Sequence, residues 1–198
     1  MKELTQLTTK ERQKQAQIFN EKVLPGIFTQ LTNFNPKLAR EIKAHSEWYP
    51  FKEVVPESQI HCGDASTGKT TKVMAAVINW ASLRCLTLQR VLSFEIIGFA
   101  SLLQEIRNTF KSGSEVTTQQ VIDKYKNVPL LVLDDIGTCD VRDWSYSVLY
   151  MIIDYRWGHE KRTFYTSNYT LDQLAEMWGD DRLPRRIGDM CNGNIFEV

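Results

Sequence analysis

At 198 residues, 42% hydrophobic and 24% charged, the chain has the size and make-up of one globular domain with room for a small appendage, which excludes low-complexity and fibrous classes. Twenty-four Lys/Arg balance twenty-four Asp/Glu, so binding to a polyanion has to rest on a local patch and not on overall charge. No apolar run nears the ~20 residues of a membrane span and the N-terminus MKELTQLTTKERQKQ is too polar for a secretory leader, so the expected location is the cytoplasm, with no membrane partner.

Residues 1 to about 47 carry helical spacing. Phe19, Val23, Ile27 and Leu31 line one apolar face until Asn33-Phe34-Asn35-Pro36 breaks it, and a second helix is predicted from Pro36 to about His45. Trp48-Tyr49-Pro50-Phe51 is read as a linker, extended because Pro restricts its predecessor. Residues 1–50 are therefore expected to form a helical segment that packs on the core or docks another protein, ahead of an α/β core over 51–198.

The core opens with a short strand, Ser58 to Cys62, directly followed by Gly63-Asp64-Ala65-Ser66-Thr67-Gly68-Lys69-Thr70. This stretch fits G-x-x-x-x-G-K-[ST] at every fixed position. Val73, Val77, Trp80 and Ala81 then recur on one helix face. A strand, a glycine loop and a helix in this order suit a triphosphate. Gly63 and Gly68 let the backbone turn, and amides from Asp64, Ala65, Ser66 and Thr67 through Thr71 face the phosphates. Lys69 reaches the β/γ oxygens and Thr70 offers a hydroxyl to Mg²⁺. The cofactors expected are ATP and Mg²⁺, and Lys69 is expected to face solvent when the site is empty.

A second strand is predicted over Val91–Ile97, then a helix from Phe99 to Lys111 with Leu102, Leu103 and Ile106 inward, a turn at Ser112-Gly113-Ser114, and a helix from about Thr117 to Lys126. Leu130-Leu131-Val132-Leu133 is a continuous apolar run of the kind a central parallel strand buries on both faces. It ends in Asp134-Asp135, the Walker B pattern, in which Asp134 would hold Mg²⁺ and Asp135 would orient or deprotonate the attacking water. A plain turn at Asp135-Ile136-Gly137 is the alternative. A helix from Asp143 to Trp157 closes at Gly158. A strand over Arg162–Thr166 stops at Ser167-Asn168, and a short helix spans Leu171–Trp178. Another helix opens in Asp180-Asp181-Arg182-Leu183-Pro184-Arg185-Arg186-Ile187-Gly188, and Gly193–Val198 closes as a strand. Five strands alternating with helices predict a parallel sheet wound on both faces, its ligand at the C-terminal strand edges. Cys62, Cys85, Cys139 and Cys191 lack C-x-x-C or His spacing and read as buried free thiols.

G-D-A-S-T-G-K-T, L-L-V-L-D-D-I-G, Y-T-S-N and D-R-L-P-R-R-I-G, in this order over about residues 55–198, resemble the AAA+ ATPases of the bacterial replicative helicase loader clade, the DnaC and DnaI type, to which IstB-like transposition ATPases are similar. The resemblance implies a P-loop NTPase fold without a C-terminal lid domain. It also implies ATP hydrolysis at interfaces made by self-association, and delivery or release of a replicative DNA helicase on single-stranded DNA. By the same resemblance Asn168 positions the hydrolytic water, and Arg186, or Arg182 in its place, is an arginine finger for a neighbour's γ-phosphate. The helix Gly98–Lys111 would line a channel for single-stranded DNA, with Arg107, Phe110 and Lys111 supplying charge and a stacking surface. An Asn in a turn, an exposed basic cluster and a solvated face are the respective plainer readings. Asp135 stands where many AAA+ proteins carry Glu, which implies slow or partner-stimulated turnover. The N-terminal part has no cysteine-rich module like that of DnaI. An IstB-like ATPase on duplex DNA, and a nucleotide-binding protein that caps or inhibits a replication complex, stand as alternatives.

Overall fold

The computed structural model describes residues 8–44, 57–88, 93–111, 115–138 and 144–198, the side chains of 12, 15 and 84–88 excepted. The Trp48–Phe51 linker, the Val91-Leu92 strand start, the Ser112–Ser114 turn, the Asp143 cap, Cys139 and the Cys85 side chain lie outside this description.

Five parallel strands, β1 (Gln59–Cys62), β2 (Phe94–Gly98), β3 (Leu130–Ile136), β4 (Arg162–Ser167) and β5 (Ile195–Glu197), make one sheet in the order β2-β3-β4-β1-β5. Leu130 to Leu133 and all of β4 are buried, so the central strands are covered on both faces, as an uninterrupted apolar run predicts. The polar members of β4 are paired: Ser167 Oγ donates to Ile136 O at 2.8 Å, and Thr163 N donates to Ser58 Oγ at 3.0 Å.

The helices are α1 (Thr9–Ile18), α2 (Leu24–Phe34), α3 (Pro36–Ala44), α4 (Lys69–Leu88), α5 (Phe99–Asn108), α6 (Thr118–Asn127), α7 (Trp144–Gly158), α8 (Leu171–Trp178) and α9 (Arg182–Cys191), with a π-helical turn at Phe19–Val23. Their starts follow local chemistry. Asn35 Oδ1 accepts the amides of Lys37 and Leu38, and Pro36 fills the first helical position of α3. Thr117 with Gln120, and Thr170 with Gln173, form capping boxes on α6 and α8, and Gly179 ends α8 in the left-handed conformation. The α5 helix stops at Asn108, short of the expected Lys111. There the amides of Thr109, Phe110 and Lys111 turn to carbonyls three residues back, tightening the last turn.

The chain divides into two compact units, Met1–Val55 with Thr71–Ser93, and Pro56–Thr70 with Phe94–Val198. In the first, Phe19, Val23, Ile27 and Leu31 are buried, as their spacing predicts, together with Leu38 and Ile42 of α3. In the second, Leu131, Leu133 and Tyr165 of the sheet pack with Leu102 and Ile106 of α5, Val121 and Ile122 of α6, Leu149 and Ile152 of α7, and Leu183 and Ile187 of α9.

Candidate functional site

The C-terminal ends of β3, β4 and β1 lie side by side in the middle of the sheet, and the Gly63–Thr70 loop leaves from β1. Gly63 and Gly68 hold φ of +131° and +83°, and a Cβ on Gly63 would overlap the Val198 carbonyl. Conformation favours glycine at both positions, and at Gly63 space requires it as well. The loop residues Asp64 to Gly68 are exposed, and Thr71 sits half-buried in the first turn of α4.

Lys69 does not face solvent. It is 7% exposed, and its Nζ donates to Gly63 O at 2.8 Å and Asp64 O at 2.5 Å. An ammonium carries three donors and the curled loop supplies two acceptors, so the side chain folds back onto them.

At the end of β3, Thr70 Oγ1 donates to Asp134 Oδ1 at 2.9 Å, and Thr166 Oγ1 donates to the same oxygen at 2.8 Å. The Asp135 amide donates to Thr166 Oγ1 at 2.8 Å. Asp135 adopts φ +64°, a left-handed conformation that Asp tolerates better than most residues. Its carboxyl pKa is pushed up, first by burial and then by the charge of Asp134, with Lys69 opposing. Asn168 Nδ2 reaches Asp135 Oδ1 at 3.4 Å. Lys69, Thr70, Asp134, Asp135 and Asn168, far apart in sequence, are thus gathered at one strand edge. Thr166 falls within Y-T-S-N, but no sequence motif gives it a role of its own. A hydroxyl near the end of the strand expected beside β3 was the signal available.

Arg186 Nε lies 2.7 Å from Asp154 Oδ1, and its guanidinium sits 4.6 Å from the Tyr150 ring centroid and 5.3 Å from that of Trp157. Arg182 forks onto Asp180 with contacts of 2.5 to 3.0 Å and also lies over Tyr150, at 5.6 Å. The hydrogen bonds from Arg182 hold the Asp180 carboxyl well below the usual carboxylate range. Both arginines are therefore engaged by their own chain, at α7 and the start of α9.

Phe110 is 60% exposed and meets the Trp144 ring edge-on at 5.6 Å, while Arg107 lies 5.5 Å above the same ring. Lys111 is exposed beside them in sequence. Trp144 belongs to no sequence motif. Cys62 and Cys191 are buried free thiols, pushed up to about 11 and about 12 by burial. Among the described residues no group of three or more His, Cys, Asp or Glu gathers as a metal site, and no helix is long and apolar enough to cross a membrane.

No family model matches the chain. The replicative helicase loader DnaC of Escherichia coli strain K12 is 27% identical over 133 residues, 67% of this chain and 51% of that protein. The replicative helicase loader DnaI of Bacillus subtilis strain 168 is 26% identical over 113 residues, 57% and 33% of the respective chains. The matches thus span about half the length of DnaC and a third of DnaI. Among solved structures, the DnaC helicase loader superposes with a TM-score of 0.58 at 19% identity, over 82% of this chain and 89% of that one. The replication initiator DnaA bound to AMPPCP and single-stranded DNA gives 0.54 at 19% identity, over 83% and 46%. The chain is similar in sequence to the DnaC and DnaI loaders and has the P-loop AAA+ fold.

Proposed function

We propose that this chain, similar to the DnaC and DnaI loaders and AAA+ in fold, is an ATPase of the helicase-loader type. In this reading it binds ATP and Mg²⁺ between self-associated subunits, contacts single-stranded DNA, and delivers or releases a replicative DNA helicase. The observation that carries the reading is the 2.9 Å contact of Thr70 Oγ1 with Asp134 Oδ1, which joins the phosphate loop to the acidic end of β3 where a hydroxyl and a carboxylate would share a metal ion.

The residues present fit both cofactors. Left-handed Gly63 and Gly68 shape a loop whose amides would face phosphate oxygens, and Lys69 Nζ rests on the loop's own carbonyls, from which it would turn to the β/γ oxygens. Mg²⁺, when bound, supplies positive charge to the oxygens of the transferring phosphoryl group. Asp135, half-buried and with its pKa raised, is suited to take a proton from water, and Asn168 is within reach to orient that water. Arg186 would approach a neighbouring subunit's γ-phosphate from its seat between Tyr150 and Trp157. Arg107, Phe110 and Lys111, with Trp144 behind them, offer charge and ring faces to unstacked bases. Residues 1 to about 47 would dock the helicase.

Lys69→Ala tests the reading. Losing a charge-assisted contact to phosphate should weaken ATP binding on the order of tenfold or more and abolish hydrolysis. Calorimetric titration giving the parent's affinity would reject the nucleotide site.

A further inference from the structure

The ladder between β3 and β4 pairs Leu133 with Tyr165 and resumes at Ile136 with Ser167. The chain takes three steps along β3 against two along β4, so β3 carries one extra residue and Asp134 and Asp135 together oppose Thr166. A bulge of this kind leaves an amide without its ladder partner and re-aims a side chain. The Asp135 amide finds Thr166 Oγ1 instead, at 2.8 Å, while the same hydroxyl donates its proton to Asp134 Oδ1 at 2.8 Å. Thr166 is 2% exposed, so water does not readily substitute for it.

The conformation this stabilises is a costly one. Asp135 at φ +64° persists only where its surroundings over-determine it. Were the extra residue drawn back into regular pairing, the one-step shift would turn a carboxylate to the opposite face of the sheet. We infer that Thr166 is the positioning residue of the site: its hydroxyl ties the bulge so that Asp134 stays on Thr70 while Asp135 turns toward Asn168. The separate tasks of the two acids rest on the function proposed above; the bulge and its tie do not.

Thr166→Val keeps the shape and removes only the hydroxyl's bonds, and Thr166→Ser restores them. Three measurements on the full chain follow: exchange of the Asp135 amide by NMR, the Mg²⁺ concentration that supports binding of a non-hydrolysable ATP analogue, and turnover. With Val, exchange at Asp135 should rise and the Mg²⁺ requirement should increase, each on the order of tenfold. Turnover should fall by about 10²-fold, the penalty expected of a roughly 1 Å misplacement, while analogue affinity without Mg²⁺ stays at the parent's value. Thr166→Ser should return all three to near the parent. A Val variant with the parent's exchange rate and turnover overturns the inference. So does a Ser variant as impaired as Val, which would assign the effect to the methyl group, and Ser alone decides if Val does not fold. If the parent neither binds nor hydrolyses ATP, the proposed function falls, and the Asp135 exchange rates of the two variants still judge the tie.

Discussion

Two adjacent carboxylates at the end of β3 experience different surroundings. Asp134 Oδ1 accepts from the hydroxyls of Thr70 and Thr166, whereas the Asp135 carboxyl receives the Asn168 amide, at 3.4 Å, and its pKa is raised by burial and by its neighbour's charge. Two acids held by such different contacts are suited to separate roles. Asp135→Asn is therefore expected to keep ATP and Mg²⁺ bound while cutting turnover by about 10² to 10⁴-fold, the range for loss of a general base. Asp134→Asn should instead weaken only the Mg²⁺-dependent part of binding. Titrations with and without Mg²⁺, beside a phosphate-release assay, separate the two. An Asp135→Asn variant that hydrolyses at the parent rate would place the base elsewhere.

Between elements, the second compact unit depends on Arg156. It is fully buried, and Nη1 donates to Tyr125 O and Val128 O at 2.8 and 2.9 Å, where α6 ends. Nη2 donates to Arg162 O at 2.5 Å, and Nε donates to Thr163 Oγ1 at 2.8 Å in β4. Burial lowers its pKa to about 10, which still leaves it charged at neutral pH. One guanidinium so ties α7 to the end of α6 and the start of β4, satisfying carbonyls that helix termination leaves open. Arg156→Met fills similar space but strands those acceptors, and should cost about 3 kcal/mol of unfolding free energy. Urea denaturation would read this as a lower midpoint at unchanged slope. A loss below about 1 kcal/mol would mean that water takes over the acceptors.

At the scale of the whole molecule, the proposed self-association turns on Arg186. Arg186 is paired with Asp154 and stacked on Tyr150 and Trp157, so the group proposed to serve a neighbour's γ-phosphate is held in a fixed direction before any neighbour arrives. A guanidinium presents a rigid fork of donors, and an arginine finger raises turnover by about 10³ to 10⁵. Arg186→Ala should bind ATP nearly as well as the parent without hydrolysing it, and mixing it with Lys69→Ala should recover part of the activity, because a mixed interface joins an intact loop to an intact arginine. Full turnover by Arg186→Ala, independent of protein concentration, would leave the basic cluster as a DNA or partner contact.

What the sequence determined by itself is whatever contiguous residues dictate. The Gly63–Thr70 loop follows from spacing and from backbone freedom at two glycines, and the apolar run Leu130–Leu133 announces a strand buried on both faces. Thr117, Thr170 and Asn35 start helices through bonds that span three residues or fewer. The tertiary structure alone decided which distant residues oppose one another. Strand register arises from packing over many residues, so neither the bulge at Asp134-Asp135 nor Thr166 as its tie is written in any local pattern. Lys69 folding back on its loop, Arg156 reaching across from α7, and Trp144 beneath Arg107 depend likewise on where separate elements come to rest. Local chemistry selects the elements, but only close packing brings their side chains within bonding distance.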